Sequence, residues 1–356
     1  MKHPREILLG SQAAAGALPV CDHYAGVEAR MRKSLQLQAE MSQEFGACVF
    51  DVTLDCEDGA PVGGEHEHAL MVAELALQTM QQSLPAATLP RVAVRVHAVD
   101  HPAFAADVAT IVGRAGAALS HLMIPKVESL ADVQRAVDAV DQAGPAGAKA
   151  LPLHVLIESA AAVHRAFDIA SHARVQSLSF GLMDFVSAHG GAIPASAMSV
   201  ESGQDPQALG QFTHPLVVRA KLAIASACHA WAKVPAHCVV TEFSDVAAVQ
   251  RAARRAACEL GFTRMWSIHP AQIRPILAAF APELRQVELA AKIIAAASAA
   301  GWAPISLGGQ LHDRASYRFY WQLLERAQQT GLCLPCEVQG YFAPASDSTP
   351  LHKEIA

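Results

Sequence analysis

The stretch that decides the fold is Leu153-His154-Val155-Leu156-Ile157-Glu158, a short apolar run that ends at a carboxylate. Similar runs of three to eight residues recur along the chain. Most are continuous and not alternating in polarity, as expected for parallel strands buried on both faces. Eight such runs are found, at residues 17–21, 47–54, 92–97, 119–125, 153–157, 178–180, 237–240 and 265–268.

The segments between these runs have the pattern of amphipathic helices. In residues 27–43, 69–82, 131–142 and 244–260, apolar side chains recur at i, i+3 and i+4. Repeated strand–helix units predict a parallel sheet, and eight of them predict an α/β protein with a (β/α)8 TIM barrel. A doubly wound sheet is the alternative, but no G-x-G-x-x-G motif follows the first strand and no Walker loop is found.

The length of the chain is greater than a barrel needs. A chain of 356 residues suits one barrel of about 250 residues plus an extension. We assign residues 1–282 to a catalytic barrel and residues 283–356 to a C-terminal helical extension and tail. This extension contains helical patterns at 287–300 and 315–329 and is expected to contact a neighbouring subunit.

Composition excludes several classes of protein. With 52% hydrophobic and 17% charged residues, the chain is neither disordered nor a coiled coil. Its net charge of −6, with no basic run, argues against a nucleic-acid partner. The longest Ala-rich stretch is too short for a membrane span, which needs about 20 apolar residues. Together with the lack of a disulfide framework or a convincing signal peptide, this predicts a cytoplasmic protein.

Ionisable side chains follow nearly every predicted strand. Because the carboxyl ends of barrel strands meet at one mouth, where barrel enzymes place catalysis, this bias predicts an enzyme site there. The residues are Asp55, Glu57, Asp58, Arg95, His97, Lys126, Glu128, Glu158, Asp184, Glu242 and His269.

Two of these carboxylates are candidates for a shared metal ion. Glu158 and Asp184 end consecutive predicted strands. Mg²⁺ takes one or two protein carboxylates and completes its shell with water and substrate oxygens. Taken singly, Glu158 could instead cap a helix, and Asp184 could pair with a surface cation.

Arg95 lies inside an apolar strand, where an unpaired guanidinium is very costly. A forked donor at this point can bind a substrate carboxylate or hold a developing enolate oxygen. The alternative is a structural ion pair with Glu57 or Asp58, and both roles are compatible.

Six motifs in fixed order resemble a known family. They are LDCED at 54–58, VRVH at 94–97, IPKVES at 124–129, LIES at 156–159, FGLMD at 180–184 and SIHPAQI at 267–273. In order and spacing they are similar to the HpcH/HpaI aldolase/citrate lyase family, near its citrate lyase β-subunit-like and malyl-CoA lyase branch. The resemblance extends from about residue 17 to residue 300.

The resemblance implies a role for each matching residue. Glu158 and Asp184 take the place of the acidic ligands that hold Mg²⁺ (or Mn²⁺), and Arg95 that of the arginine contacting the substrate carboxyl or carbonyl oxygen. Glu57 and Asp58 correspond to the acidic pair that orients this arginine and metal-bound waters. Lys126 corresponds to a lysine with a supporting role, and His97 stands where the family has a substrate-binding asparagine.

The resemblance also implies a homo-oligomer, commonly a trimer or hexamer. In the acyl-CoA lyases an aspartate from the C-terminal segment of a neighbouring subunit acts as acid and base. Residues 308–313, GGQLHD, look like that stretch, so Asp313 is the candidate.

These roles imply a Mg²⁺-dependent carbon–carbon lyase that cleaves a 3-hydroxyacyl thioester through an enolate. The products would be a 2-oxo acid and an acyl-CoA.

The first strand departs from the family, because residues 18–24, LPVCDHY, replace a segment that helps bind acyl-CoA in relatives. This departure supports a first alternative, a metal-dependent 2-oxo-acid aldolase that uses no CoA. A second alternative is a non-catalytic barrel that serves as a scaffold.

Overall fold

A computed structural model describes residues 3–10, 17–80, 85–147, 149–200 and 208–342. Eight parallel strands close into a barrel in chain order. The strands are β1 Cys21–Ala25, β2 Phe50–Asp55, β3 Val92–Arg95, β4 Leu119–Ile124, β5 Leu153–Ile157, β6 Val175–Phe180, β7 Val234–His237 and β8 Arg264–Ser267. The prediction of a (β/α)8 barrel is confirmed.

Helices cover the outside of this barrel and form the extension beyond it. They are α1 Pro4–Leu9, α2 Glu28–Phe45, α3 Glu65–Thr79, α4 Phe104–Ala115, α5 Leu130–Ala143, α6 Ala160–His164, α7 Ala166–Ser171, α8 Leu182–Ser187, α9 Pro215–Ala230, α10 Val246–Glu259, α11 Ile273–Phe280, α12 Leu284–Ala299, α13 Arg314–Gln329 and α14 Cys336–Gln339. A short antiparallel hairpin, β9 Ile305–Leu307 and β10 Gln310–His312, precedes α13.

Two predicted strands were misplaced by several residues. The first strand begins where the run at 17–21 ends and continues through the polar Asp22 and His23, while β7 ends where the run at 237–240 begins. Polar side chains of β1 explain the first displacement: Asp22 pairs with Arg264 inside the barrel, and His23 Nδ1, on the opposite face of the strand, lies 2.8 Å from Ser267 Oγ. The run at 237–240 overlaps β7 only at its last residue, His237.

Side chains inside the barrel form two layers of different character. An apolar layer lies under the carboxyl-terminal mouth and contains Tyr24, Met123, Leu156, Ala236, Val239 and Trp266. Because strand side chains alternate with a period of two, the residues two positions earlier lie one layer deeper. Those residues are polar in four strands: Asp22, His121, His154 and Arg264.

The C-terminal helices form a second apolar core. Side chains of α12, α13 and α14 pack together with Leu8 and Leu9 of α1. Arg5 of α1 pairs with Glu325 of α13, which also accepts a 2.6 Å hydrogen bond from Trp321 Nε1. The N-terminal helix thus packs on the extension, although the sequence grouped it with the barrel at 1–282. Residues 343–356 of the predicted tail lie outside the described residues.

Among the helices of the described chain, none combines the length and apolar character required to cross a lipid bilayer.

Candidate active site

An arginine and two carboxylates form the rigid part of the mouth. Asp55 and Arg95 are paired in register at the ends of β2 and β3. Asp55 Oδ1 accepts a 2.7 Å hydrogen bond from Arg95 Nε, and Asp55 Oδ2 accepts from Nη2. Arg95 Nη1 lies 2.9 Å from Glu57 Oε2. The sequence expected Glu57 or Asp58 as partner, whereas Asp55 makes the bidentate contact and Asp58 pairs elsewhere.

The backbone and the arginine together keep Asp55 ionised. Burial would raise the pKa of Asp55, but the Arg95 guanidinium and the N–H groups of Glu57 and Gly59 outweigh it and lower that pKa. A bidentate guanidinium–carboxylate pair is geometrically specific as well as strong. Arg95 is therefore fixed in place before any substrate arrives.

Lys126 connects the acidic loop after β2 to the loop after β4. Its Nζ contacts Glu57 and lies 3.4 Å from Asp58 Oδ1. Burial raises the pKa of Glu57 despite these cationic neighbours. Asp58 therefore forms an ion pair with Lys126 alone, whereas Glu57 forms ion pairs with both Lys126 and Arg95.

Glu158 is the most perturbed acid of the mouth. Burial, followed by the negative charge of Asp184, raises the pKa of Glu158 to about 8. Its Oε2 accepts a 2.8 Å hydrogen bond from the backbone N–H of Lys126. Lys126 has a φ of 51°, a left-handed conformation that is uncommon outside glycine. This local backbone directs the amide at the carboxylate.

The Glu158 and Asp184 pair has the chemistry of a hard-cation site. Asp184 lies in the first turn of α8, directly after β6. In the described part of the chain, no hydrogen bond reaches its side-chain carboxylate or Glu158 Oε1. Two carboxylates that repel each other and retain free oxygens fit Mg²⁺, which takes few protein ligands.

Glycine at position 181 makes room for the Glu158 carboxylate. Ile157 and Phe180 are paired in register, so Glu158 and Gly181 follow side by side. A Cβ at residue 181 would lie 2.4 Å from both Cγ and Oε1 of Glu158.

Gly181→Ala is expected to displace this carboxylate and weaken Mg²⁺ binding about tenfold or more, measured by calorimetric titration. Gly340→Ala is the matched control, since no atom lies within 4 Å of its Cβ position; equal Mg²⁺ affinity in both variants would contradict the assignment.

The raised pKa of Glu158 predicts a pH-dependent affinity for metal. With a pKa of about 8, the metal-free carboxyl is protonated at neutral pH, so a cation must displace a proton. Mg²⁺ affinity should therefore rise with pH and level off above about pH 8. Titration at about pH 6.5 and about pH 8.5 tests this, and equal affinities would contradict it.

The same shift affects the stability of the metal-free protein. Between the ordinary pKa of 4.5 and about 8, the folded protein binds a proton that the unfolded chain has lost. The contribution of Glu158 to the free energy of unfolding therefore falls as pH rises through this window. We expect added Mg²⁺ to stabilise the protein most above about pH 8, as measured by thermal unfolding.

Two aromatic residues of the mouth were not identified from the sequence. Tyr24 stacks on Trp266, with ring centroids 4.7 Å apart, and Arg95 Cζ lies 5.6 Å from the Tyr24 ring centroid. Tyr24 was noted only as part of the altered first strand, and Trp266 lies in the run at 265–268. The only available signal was their place near the ends of β1 and β8.

Two predicted site residues make their contacts away from Arg95 and Glu158. His97 Nδ1 lies 2.6 Å from Asp107 Oδ2 in α4, and its ring stacks on His101. Asp313 caps α13 by accepting from the N–H groups of Ala315 and Ser316. Within one described chain, Asp313 makes no hydrogen bond to the barrel.

Comparison with known proteins gives the family of the chain. Residues 36–270 match the family profile of the HpcH/HpaI aldolase/citrate lyase group. An L-malyl-CoA/β-methylmalyl-CoA lyase of Cereibacter sphaeroides is 31% identical over 284 residues, which cover 75% of this chain and 84% of that protein. A crystal structure of a citrate lyase from Burkholderia xenovorans LB400 is 44% identical, covers 96% of this chain and 99% of its own, and has a TM-score of 0.74.

A more distant structure shares the fold. The protein CitE of Mycobacterium tuberculosis, in complex with magnesium, acetoacetate and coenzyme A, is 21% identical. The match covers 87% of this chain and 98% of that one, with a TM-score of 0.59.

The fold, the acidic mouth and these relatives define a carbon–carbon lyase, and hence an enzyme and not a scaffold. The chain belongs to the HpcH/HpaI aldolase/citrate lyase family.

Proposed function

We propose that the protein is a Mg²⁺-dependent (or Mn²⁺-dependent) lyase. It cleaves a 3-hydroxyacyl thioester into a 2-oxo acid and an acyl-CoA. The observation that carries this proposal is the pair of carboxylates that follow two neighbouring strands, Glu158 after β5 and Asp184 after β6. Arg95, which Asp55 holds in place, lies close enough to affect the pKa of Glu158. The malyl-CoA lyase name of a 31% identical relative supports the thioester.

Each residue of the mouth has a defined part in the proposed reaction. Mg²⁺, when held by Glu158 and Asp184, would supply positive charge to the part of the substrate that leaves as the 2-oxo acid. Arg95 donates to Asp55 through Nε and Nη2, and its Nη1 is in ionic contact with Glu57; its remaining N–H groups would bind the oxygen where the enolate charge develops. Because Asp55 and Glu57 fix the guanidinium, little reorganisation accompanies the reaction.

The proton transfer is assigned to Asp313 of a neighbouring subunit. Its exposed position in the C-terminal extension suits delivery to another copy of the chain. The proposal therefore includes a homo-oligomer, a trimer or hexamer, in which residues 283–356 complete the mouth of a barrel formed within residues 1–282. Lys126 and His97 are proposed to contact substrate at the rim.

The direct test is product formation from L-malyl-CoA with and without Mg²⁺. The proposal predicts glyoxylate and acetyl-CoA in the presence of Mg²⁺, and loss of both products with Asp313→Asn. Cleavage that continues unchanged after exhaustive chelation would contradict it.

A second candidate is a metal-dependent aldolase that uses no CoA. It is favoured by the first strand, where Asp22, His23 and Tyr24 occupy the segment that differs from the family. A 4-hydroxy-2-oxo acid tested beside L-malyl-CoA separates the two. Mg²⁺-dependent cleavage of the oxo acid alone would favour this candidate.

A further inference from the structure

The deeper layer of the barrel holds a polar cluster that the proposed reaction does not use. Asp22 on β1, His121 on β4 and His154 on β5 are at most 1% exposed. Each offers one ligand atom, and the three atoms lie within 4.8 Å of one another. Their convergence in a closed interior requires a physical explanation.

Hydrogen bonds fix the tautomer of both histidines. Ser120 Oγ donates to the carbonyl of Val92 at 2.9 Å, so its oxygen accepts from His121 Nδ1 at 3.1 Å. Gln176 Oε1, an acceptor, lies 3.1 Å from His154 Nε2. Both imidazoles therefore carry their proton on the outer nitrogen. His121 Nε2 and His154 Nδ1 are left with free lone pairs.

The carboxylate of Asp22 also uses one atom in an outer hydrogen bond and leaves the other without one. Its Oδ1 accepts a 2.7 Å hydrogen bond from Thr53 Oγ1. Its Oδ2 has an ionic contact of 2.8 Å with Arg264 Nη2 but no well-aligned hydrogen bond. Within the described residues, Asp22 Oδ2, His121 Nε2 and His154 Nδ1 are all buried without a hydrogen-bond partner. The centre of the cluster therefore holds three acceptors, and the cation beside them is the Arg264 guanidinium, whose Nε is also buried without a hydrogen-bond partner among the described residues.

Two arginines lie beside the carboxylates of this layer. Asp22 and Asp51 are fully buried and share one buried guanidinium, Arg264, at 2.8 and 2.6 Å. Arg91 also contacts Asp51, from the rim, with 30% of its side chain exposed. Asp51 is therefore held by two cations, whereas Asp22 has only the guanidinium that it shares with Asp51.

We propose that Asp22, His121 and His154 bind a divalent transition-metal ion, with Zn²⁺ as the probe, at a structural site separate from the mouth. Two neutral imidazoles and a carboxylate suit Zn²⁺ and similar ions, whereas Mg²⁺ prefers oxygen ligands alone. Outer hydrogen bonds such as those from Ser120 and Gln176 are typical of metal-binding histidines. The two rings stack with centroids 3.5 Å apart and planes 17° apart, so both rings would have to turn from this arrangement for their lone pairs to face one ion.

A cleft at the amino-terminal end of the barrel lies next to the cluster. This cleft of about 1180 Å³ is lined by Ser120, Gln176 and Arg91, the outer partners of His121, His154 and Asp51. An ion that reached the cluster from this cleft would enter from the end of the barrel opposite the mouth.

The test is the zinc content of the full-length protein after growth in zinc-supplemented medium and gel filtration with a chelator. We expect one tightly bound zinc ion per chain by elemental analysis. Unfolding with a chelator and refolding without zinc should give a lower Tm than refolding with zinc. Wild-type protein that holds no zinc after either treatment would overturn the proposal.

Variants locate the ion. His121→Gln and His154→Gln are expected to lower bound zinc about tenfold or more. His237→Gln is the matched control, because His237 is equally buried but packs on Phe212 outside the cluster. Glu158→Gln should lower kcat/KM by about 10²-fold or more and leave zinc unchanged, which separates this site from the proposed function. Full zinc content in both His121→Gln and His154→Gln would overturn the proposal.

Discussion

Glu158→Gln is expected to lower kcat/KM by about 10²-fold or more and to weaken Mg²⁺ binding to a similar degree. Glutamine keeps the shape of the side chain, and its oxygen can still accept from the N–H of Lys126. It cannot supply the negative charge that a divalent cation requires. The loss should therefore appear as reduced Mg²⁺ affinity in calorimetry and as reduced turnover in the cleavage assay.

The fold should tolerate this substitution. Glu158 is buried with a pKa of about 8, so above that pH the metal-free protein bears the cost of a buried carboxylate that glutamine removes. We expect the metal-free variant to match or exceed the wild-type Tm there. Glu128→Gln is the control, since this nearby carboxylate accepts from Ser159 Oγ at 2.8 Å. Unchanged Mg²⁺ binding in Glu158→Gln would refute the metal assignment.

Arg95→Lys is expected to lower kcat/KM by about 10² to 10³-fold while leaving Mg²⁺ affinity nearly unchanged. Lysine keeps the positive charge but loses the planar fork that engages Asp55 at two points and Glu57 at a third. The remaining ammonium cannot satisfy both carboxylates and also face the substrate. Steady-state kinetics beside Mg²⁺ titration separates this loss from a loss of metal.

Arg274→Lys is the control for this change, because Arg274 pairs with Glu44 at the protein surface. Arg95→Ala is less informative. It would leave Asp55 and Glu57 without their guanidinium and cost about 3–5 kcal/mol of stability. Wild-type kcat/KM in Arg95→Lys would show that the arginine is structural only.

The barrel and the acidic mouth could be predicted because both depend on local patterns. Apolar runs mark strands such as β5, whose bounds agree at 153–157, and ionisable residues follow them at the mouth. Glu158 and Asp184 were predicted as metal ligands in this way, because they follow consecutive strands. The effect of the Asp184 charge on the pKa of Glu158 could not be read from spacing.

The unpredicted features depend on contacts between distant parts of the chain. Asp55 was noted at a strand end, but its register with Arg95 is set by strand pairing. The polar layer of Asp22, His121, His154 and Arg264 runs against the expectation of apolar strands and displaced the prediction of β1. The place of α1 on the extension follows from packing over more than 300 residues of chain separation.

The most direct test of the account is calorimetric titration of metal-free protein with Mg²⁺, followed by glyoxylate or pyruvate. The account predicts one Mg²⁺ site per chain, binding of the oxo acid only to the Mg²⁺ form, and loss of both signals in Glu158→Gln. Acetyl-CoA added to the ternary mixture should then bind if a thioester is used. No Mg²⁺ binding by the wild-type protein, or oxo-acid binding that ignores Mg²⁺, would contradict the account.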